Sequence, residues 1–174
     1  LVPKELNMSD DQNNGVPQQN DQLILISGKS GTGKSTSLMN IRDQERWLYL
    51  NSEAGKRLPF KNNFDAKTIT DPYQVHEGFD YATYDGKDVY DGIILDSLTF
   101  LMDMFETQYI VGSANTMAAW GAYQQFFKTL MQQKVPLFGK PVIIIAHTLD
   151  VLNEKAMEIE TSVPIKGALK NQGV

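Results

Sequence analysis

A chain of 174 residues, 41% hydrophobic and 21% charged, carries enough apolar content for one buried core and is too short for two full enzyme domains. It has no cysteine, which excludes a disulfide scaffold, an iron–sulfur cluster and any thiolate zinc site, and its two histidines, His76 and His147, argue against a histidine-rich metal site. With 16 basic against 21 acidic residues, a net charge of −5, its surface as a whole does not coat nucleic acid, so contact with DNA calls for a local basic loop or assembly into a ring or filament.

Residues 1–21 are rich in Asn, Gln, Asp and Pro without apolar periodicity, and read as a flexible arm or an expression remnant; the folded domain is expected over 22–174. Leu23–Ser27 is a short apolar run that ends at Gly28, the pattern of a buried strand. Thr36 to about Arg46 reads as a helix, Trp47–Leu50 as a second strand, Lys67–Thr70 as a weaker third, and Tyr73 to about Tyr81 as a helix after the turn at Asp71-Pro72. Ile93–Leu95 is a strong strand running into Asp96-Ser97. The stretch from Leu98 to Ile110 is helical, and 111–116 a loop. Met117–Gln133 is the best amphipathic helix, with Trp120, Tyr123, Phe127, Leu130 and Met131 at three- and four-residue spacing, a core face. Pro136, Gly139 and Pro141 break the chain before the strand Val142–Ala146, which ends at His147-Thr148. Strands alternating with helices predict an α/β three-layer sandwich on a mainly parallel sheet. No run of about 18 apolar residues offers a membrane span, and no signal-peptide pattern is seen.

Gly28-Lys29-Ser30-Gly31-Thr32-Gly33-Lys34-Ser35 fills every fixed position of G-x-x-x-x-G-K-[ST], between a strand and a helix. Glycines let the backbone wrap so that its N–H groups face an anion, and the start of a following helix adds its dipole. Gly28 through Thr36 are the expected nucleotide-binding residues, with Lys34 on the β- and γ-phosphates of ATP and the Ser35 hydroxyl on Mg²⁺. Lys29 resembles the signature lysine of a deviant phosphate-loop class, but Ser30 replaces a glycine of that pattern; Lys29 is read as solvent-exposed or as assisting the phosphates locally.

Asp96, at the end of an apolar strand, is the second expected Mg²⁺ partner, and Asp followed by Ser also reads as a helix N-cap. No Glu follows it. Leu48–Glu53 is a strand ending in a carboxylate, and if it lies beside the Asp96 strand, Glu53 reaches the same crevice and can polarise water. His147 points toward that crevice as a γ-phosphate sensor or as a structural histidine, while His76 sits in a polar stretch and reads as solvated.

With GKSGTGKS, LYLNSE, GIILDS and VIIIAHT in this order, residues 22–170 resemble the RecA-like branch of the P-loop ATPases, most of all the phage-type members, among them the Sak-type single-strand annealing and recombination proteins. The resemblance implies a sheet with the His147 strand between the phosphate-loop strand and the Asp96 strand, and the Glu53 strand beyond. It implies Glu53 as the water-activating base and a polar sensor at His147-Thr148. It also implies ATP and Mg²⁺ as ligands, single-stranded DNA as partner, and homo-oligomeric rings or filaments in which a neighbour's cation, Lys166 or Lys170 here, completes the site. A cytoplasmic location follows, the host's if the protein is phage-encoded. The stretch after His147, where the family places a DNA-binding loop, is acidic here: Asp150, Glu154, Glu158 and Glu160 against Lys155. The family would add further strands near Val174, so a truncated chain is also expected. Three arginines in all, Arg42, Arg46 and Arg57, weigh against a small-molecule or nucleotide kinase; a slow, nucleotide-gated assembly protein is the other alternative. Neither an N-K-x-D nor an L-S-G-G-Q signature is present.

Overall fold

In the computed structural model the described residues are 22–154 and 156–167. The arm predicted at 1–21 and Lys170 lie outside them. Five strands form one parallel sheet: β1 (Leu23–Gly28), β2 (Trp47–Asn51), β3 (Asp65–Thr68), β4 (Gly92–Asp96) and β5 (Val142–His147), in the order β1-β5-β4-β2-β3. This is the order expected above. The register sets Gly28 opposite His147, Asp96 opposite Ile145, and Asn51 opposite Asp96, so the carboxyl ends of the four strands that carry the motifs meet along one edge.

The central strands are apolar throughout because both of their faces are covered. Leu48, Leu50, Ile93, Leu95, Val142 and Ile144 belong to a core shared with helices α1 (Tyr73–Thr83), α2 (Leu98–Phe105) and α3 (Thr116–Thr129). Phe79, Phe105 and Tyr123 are fully buried there, each worth about 1.5–3 kcal/mol relative to an exposed side chain. Tyr49, Ile94, Ile143 and Ile145 face the other way, onto Leu38, Phe64, Leu58 and Phe60.

That second layer corrects one expectation. In place of a helix over 36–46 there is a 3₁₀ turn at Ser35–Asn40, an extended Ile41, a left-handed Asp43 (φ 49°) and a second 3₁₀ turn at Gln44–Arg46. Ser, Thr, Asn and Asp crowd this stretch and bond the backbone themselves, as the Ser37 hydroxyl does to the Lys34 carbonyl at 2.5 Å. Leu38 is its one buried residue, too little apolar surface to hold a longer helix against the sheet.

The helices expected at 98–110 and 117–133 are present, each finishing in a widened π turn, Glu106–Ile110 and Leu130–Lys134. The second turn leads into α4 (Val135–Phe138), whose Pro136 has no N–H to donate and a ring that clashes with a preceding carbonyl; the wider turn makes room for it. His76 is half-buried rather than solvated: its ring stacks on Phe126 at 4.2 Å, and Nε2 lies 3.2 Å from the Phe126 carbonyl. Burial holds its pKa below the ordinary histidine value. The acidic stretch after His147 is an antiparallel hairpin, β6 (Leu149–Asn153) and β7 (Glu158–Ser162), rather than a loop. Alternating apolar and acidic residues produce it, with both faces open to solvent. No helix among the described residues is long and apolar enough to cross a membrane.

Candidate functional site

At the carboxyl edge of the sheet a cavity of about 280 Å³ opens between the phosphate loop, the ends of β2, β4 and β5, and the segment after β2. Ser30, Gly31, Gly33, Lys34, Ser35 and Thr36 line it; Gly28, Lys29 and Thr32 do not. Gly31 (φ 79°) and Gly33 (φ 88°) occupy the left-handed region, where a side chain would be strained. Lys34 folds back into the loop and donates to the carbonyls of Gly28 (2.9 Å) and Lys29 (2.7 Å). Burial lowers its pKa, opposed by the charges of Glu53 and Asp96. Lys29 turns away and pairs with Asp150 of the hairpin at 2.5 Å.

Asp96 is buried at the end of β4. Its Oδ2 accepts from Ser35 Oγ (2.9 Å) and from the Tyr49 hydroxyl (2.7 Å), while its Oδ1 has no hydrogen-bond partner among the described residues. Burial raises the Asp96 pKa, and the two hydroxyls oppose the rise. The Tyr49 phenol is in turn pushed well up by burial and by the Asp96 charge beside it. The N-cap of α2 is Ser97, which accepts from Phe100 N–H at 3.5 Å, so Asp96 is not consumed in capping. Ser52 locks this corner: its N–H donates to the Asp96 carbonyl (2.8 Å), and its hydroxyl both accepts from Ser97 N–H (2.9 Å) and donates to the Ser97 carbonyl (2.7 Å). A buried carboxylate oxygen without a donor, next to a serine hydroxyl, suits a hard divalent cation, so Ser35 and Asp96 fit Mg²⁺.

Glu53 lies two residues past β2 and is 8% exposed. Its Oε2 accepts from Lys56 Nζ at 2.7 Å, and its Oε1 lies 3.4 Å from His147 Nε2. His147 is held by its backbone N–H on Thr99 Oγ1 (2.9 Å). The structure therefore brings together Lys34, Ser35, Glu53, Asp96 and His147, which are spread over more than a hundred residues of sequence. Lys166 lies elsewhere, paired with Asp103 at 2.5 Å and with Glu106. Motif reading missed Tyr49, Ser52 and Lys56. Tyr49 shares a strand face with Asn51 and, by alternation, with Glu53, and that was the available signal. Lys56 follows an Ala54-Gly55 turn whose direction no motif reports.

The AAA domain family matches residues 20–171. The chain belongs to that family. Its mainly parallel sheet with elements packed on both faces is the α/β architecture of a P-loop NTPase. No curated protein matches. Among solved structures it is similar to the pCW3 conjugation coupling protein TcpA in its monomer form with ATPgS (TM-score 0.46, 18% identity, 71% of this chain and 42% of that one). It is also similar to the RadB recombinase (TM-score 0.43, 16% identity, 76% of this chain and 64% of that one). The chain thus spans less than two thirds of either.

Proposed function

We propose that this protein is a Mg²⁺-dependent ATP hydrolase. The observation that carries the reading is the convergence in one cavity of the Lys34 loop, the Ser35–Asp96 pair and a buried Glu53. Loop N–H groups and Lys34 hold the β- and γ-phosphates. Ser35 and Asp96 hold Mg²⁺, which when bound neutralises phosphate charge. Glu53 accepts a proton from the attacking water; the water oxygen bonds to the γ-phosphorus, the bond to the bridging oxygen breaks with its electron pair left on ADP, and inorganic phosphate departs. His147 orients Glu53 from its other side and faces the γ-phosphate end of the cavity.

The finer reading is an ATPase of DNA recombination, repair or replication, phage-type, acting on single-stranded DNA as a homo-oligomer. Its support is the resemblance of the four motifs to RecA-like proteins. The β6–β7 hairpin, with Asp150, Glu154, Glu158 and Glu160, is an unfavourable DNA-contacting surface, so the contact is assigned to another part of the assembly.

Glu53→Gln tests the chemistry. Gln keeps the shape but takes no proton, so ATPγS affinity should stay within a few-fold while turnover falls about 10²-fold or more. Wild-type turnover in this variant would remove Glu53 as the base. Measuring turnover with and without single-stranded DNA tests the finer reading, which a DNA-independent rate and no DNA binding would overturn.

A further inference from the structure

The segment after β2 is closed on itself. Ala54 (φ 48°) and Gly55 (φ 76°) are two successive left-handed residues that reverse the chain. Lys56 N–H donates to the Glu53 carbonyl (2.9 Å), Asn51 Nδ2 donates to the Lys56 carbonyl (2.8 Å), and Asn51 Oδ1 accepts from Glu53 N–H (3.0 Å). Asn51, fixed in the sheet, thereby pins both ends of the reversal. Lys56 is held over the cavity mouth with 61% of its side chain exposed, its ammonium on Glu53 Oε2.

Hydrolysis of ATP needs positive charge on the γ-phosphate as the bond to the bridging oxygen breaks. Among the described residues, three cations line the cavity: Lys34, Lys56 and Arg57. Lys34 belongs to the loop, Arg57 makes no hydrogen bond or ion pair with Glu53 or Asp96, and Lys166 is held by Asp103 and Glu106 away from the site. Lys56 is the cation placed beside the water-activating carboxylate, and its charge is felt by both Lys34 and Asp96.

We propose that Lys56 is a catalytic residue supplied in cis, a γ-phosphate-binding cation that pairs with Glu53 without nucleotide and moves to the phosphate when ATP is bound. This rests on the ATPase reading. The exchange has a direct consequence for the base. While Lys56 sits on Glu53, the ammonium occupies Oε2 and closes it to the attacking water. When the γ-phosphate, with its larger charge, draws the ammonium away, Oε2 is freed to face water. The site is thus idle until the third phosphate arrives, and ADP leaves the pair intact. Lys56 neither gives nor takes a proton; it contributes charge.

The test uses the full chain with Lys56→Gln and Lys56→Arg, and reads ADP affinity, ATPγS affinity, turnover and thermal melting. Lys56→Gln should hold ADP affinity within about twofold, weaken ATPγS about tenfold and lower turnover about 10²-fold, with a modestly lower melting temperature because the buried Glu53 loses its ammonium. Lys56→Arg should recover at least about tenfold of the lost turnover, since it keeps the charge but not the compact ammonium. Mixing Lys56→Gln with Lys34→Ala subunits should restore nothing. Recovery on mixing would mean that Lys56 serves a neighbour, and would overturn the cis assignment. Equal losses for ADP and ATPγS would make it a structural residue, and wild-type behaviour a surface ion pair. If the unmodified protein binds ATPγS but does not turn over ATP, the hydrolase reading fails on its own. A selective ATPγS loss in Lys56→Gln would then still uphold the γ-phosphate contact.

Discussion

Asp96 and Glu53 are both buried carboxylates, yet their partners differ: two hydroxyls for Asp96, an ammonium and an imidazole for Glu53. Hydroxyls satisfy one oxygen without supplying charge, so Asp96 retains an unmet demand for a cation. Asp96→Asn keeps the size and removes that demand. The Mg²⁺ dependence of nucleotide binding should weaken about tenfold or more, while the nucleotide-free protein should melt no lower, because a neutral amide costs less to bury than a carboxylate. Titrating Mg²⁺ against a fluorescent ATP analogue, alongside a melt, checks both. An unchanged titration would leave Asp96 with no metal role.

At the scale of elements, the molecule divides its work between the two faces of the sheet. The helical face is built for stability, and none of the cavity-lining residues comes from α1, α2 or α3. The other face carries short 3₁₀ turns and irregular chain around the phosphate loop. A change at a helix end on the first face should therefore move stability alone. Asn115 caps α3 by accepting from Ala118 N–H at 3.0 Å. Asn115→Ala should cost about 1 kcal/mol in denaturant unfolding, and ATPγS affinity should not change. A loss of affinity would show that α3 and the cavity are coupled.

Over the whole molecule, the end of the described chain lies back across α2 and α3. Ile165 packs on the main core, Gly167 sits against the Trp120 ring where a Cβ would come within 2.9 Å, and Lys166 joins Asp103 and Glu106. These ion pairs are partly exposed, so Lys166→Met should lower stability by no more than about 0.5–1 kcal/mol. Turnover per subunit, followed across protein concentrations, should be unaltered. Loss of turnover at unchanged stability would instead give Lys166 the neighbour-directed role that the resemblance to RecA-like proteins implies. The hairpin is the second long-range feature: through Lys29 and Asp150 it is tied directly to the phosphate loop.

The phosphate loop was legible in the sequence because its function needs adjacent residues: backbone amides can wrap an anion only when glycines and Lys34 follow one another. The buried strands were legible for a similar reason, since burial on both faces writes a continuous apolar run, whereas their order in the sheet was implied only by the resemblance to RecA-like ATPases. The short 3₁₀ turns were not, because competition between side-chain and backbone hydrogen bonds decides them against a helix-like pattern. Tertiary structure alone decided the partners. Ser35 and Asp96 were expected to share a cation, but Tyr49 meets Asp96 across 47 residues, and such a pair leaves no trace in local spacing. It also decided that Lys29 serves the hairpin, that Lys166 serves α2, and that Lys56 faces the cavity, because the direction of a side chain after a left-handed turn is set by the folded backbone.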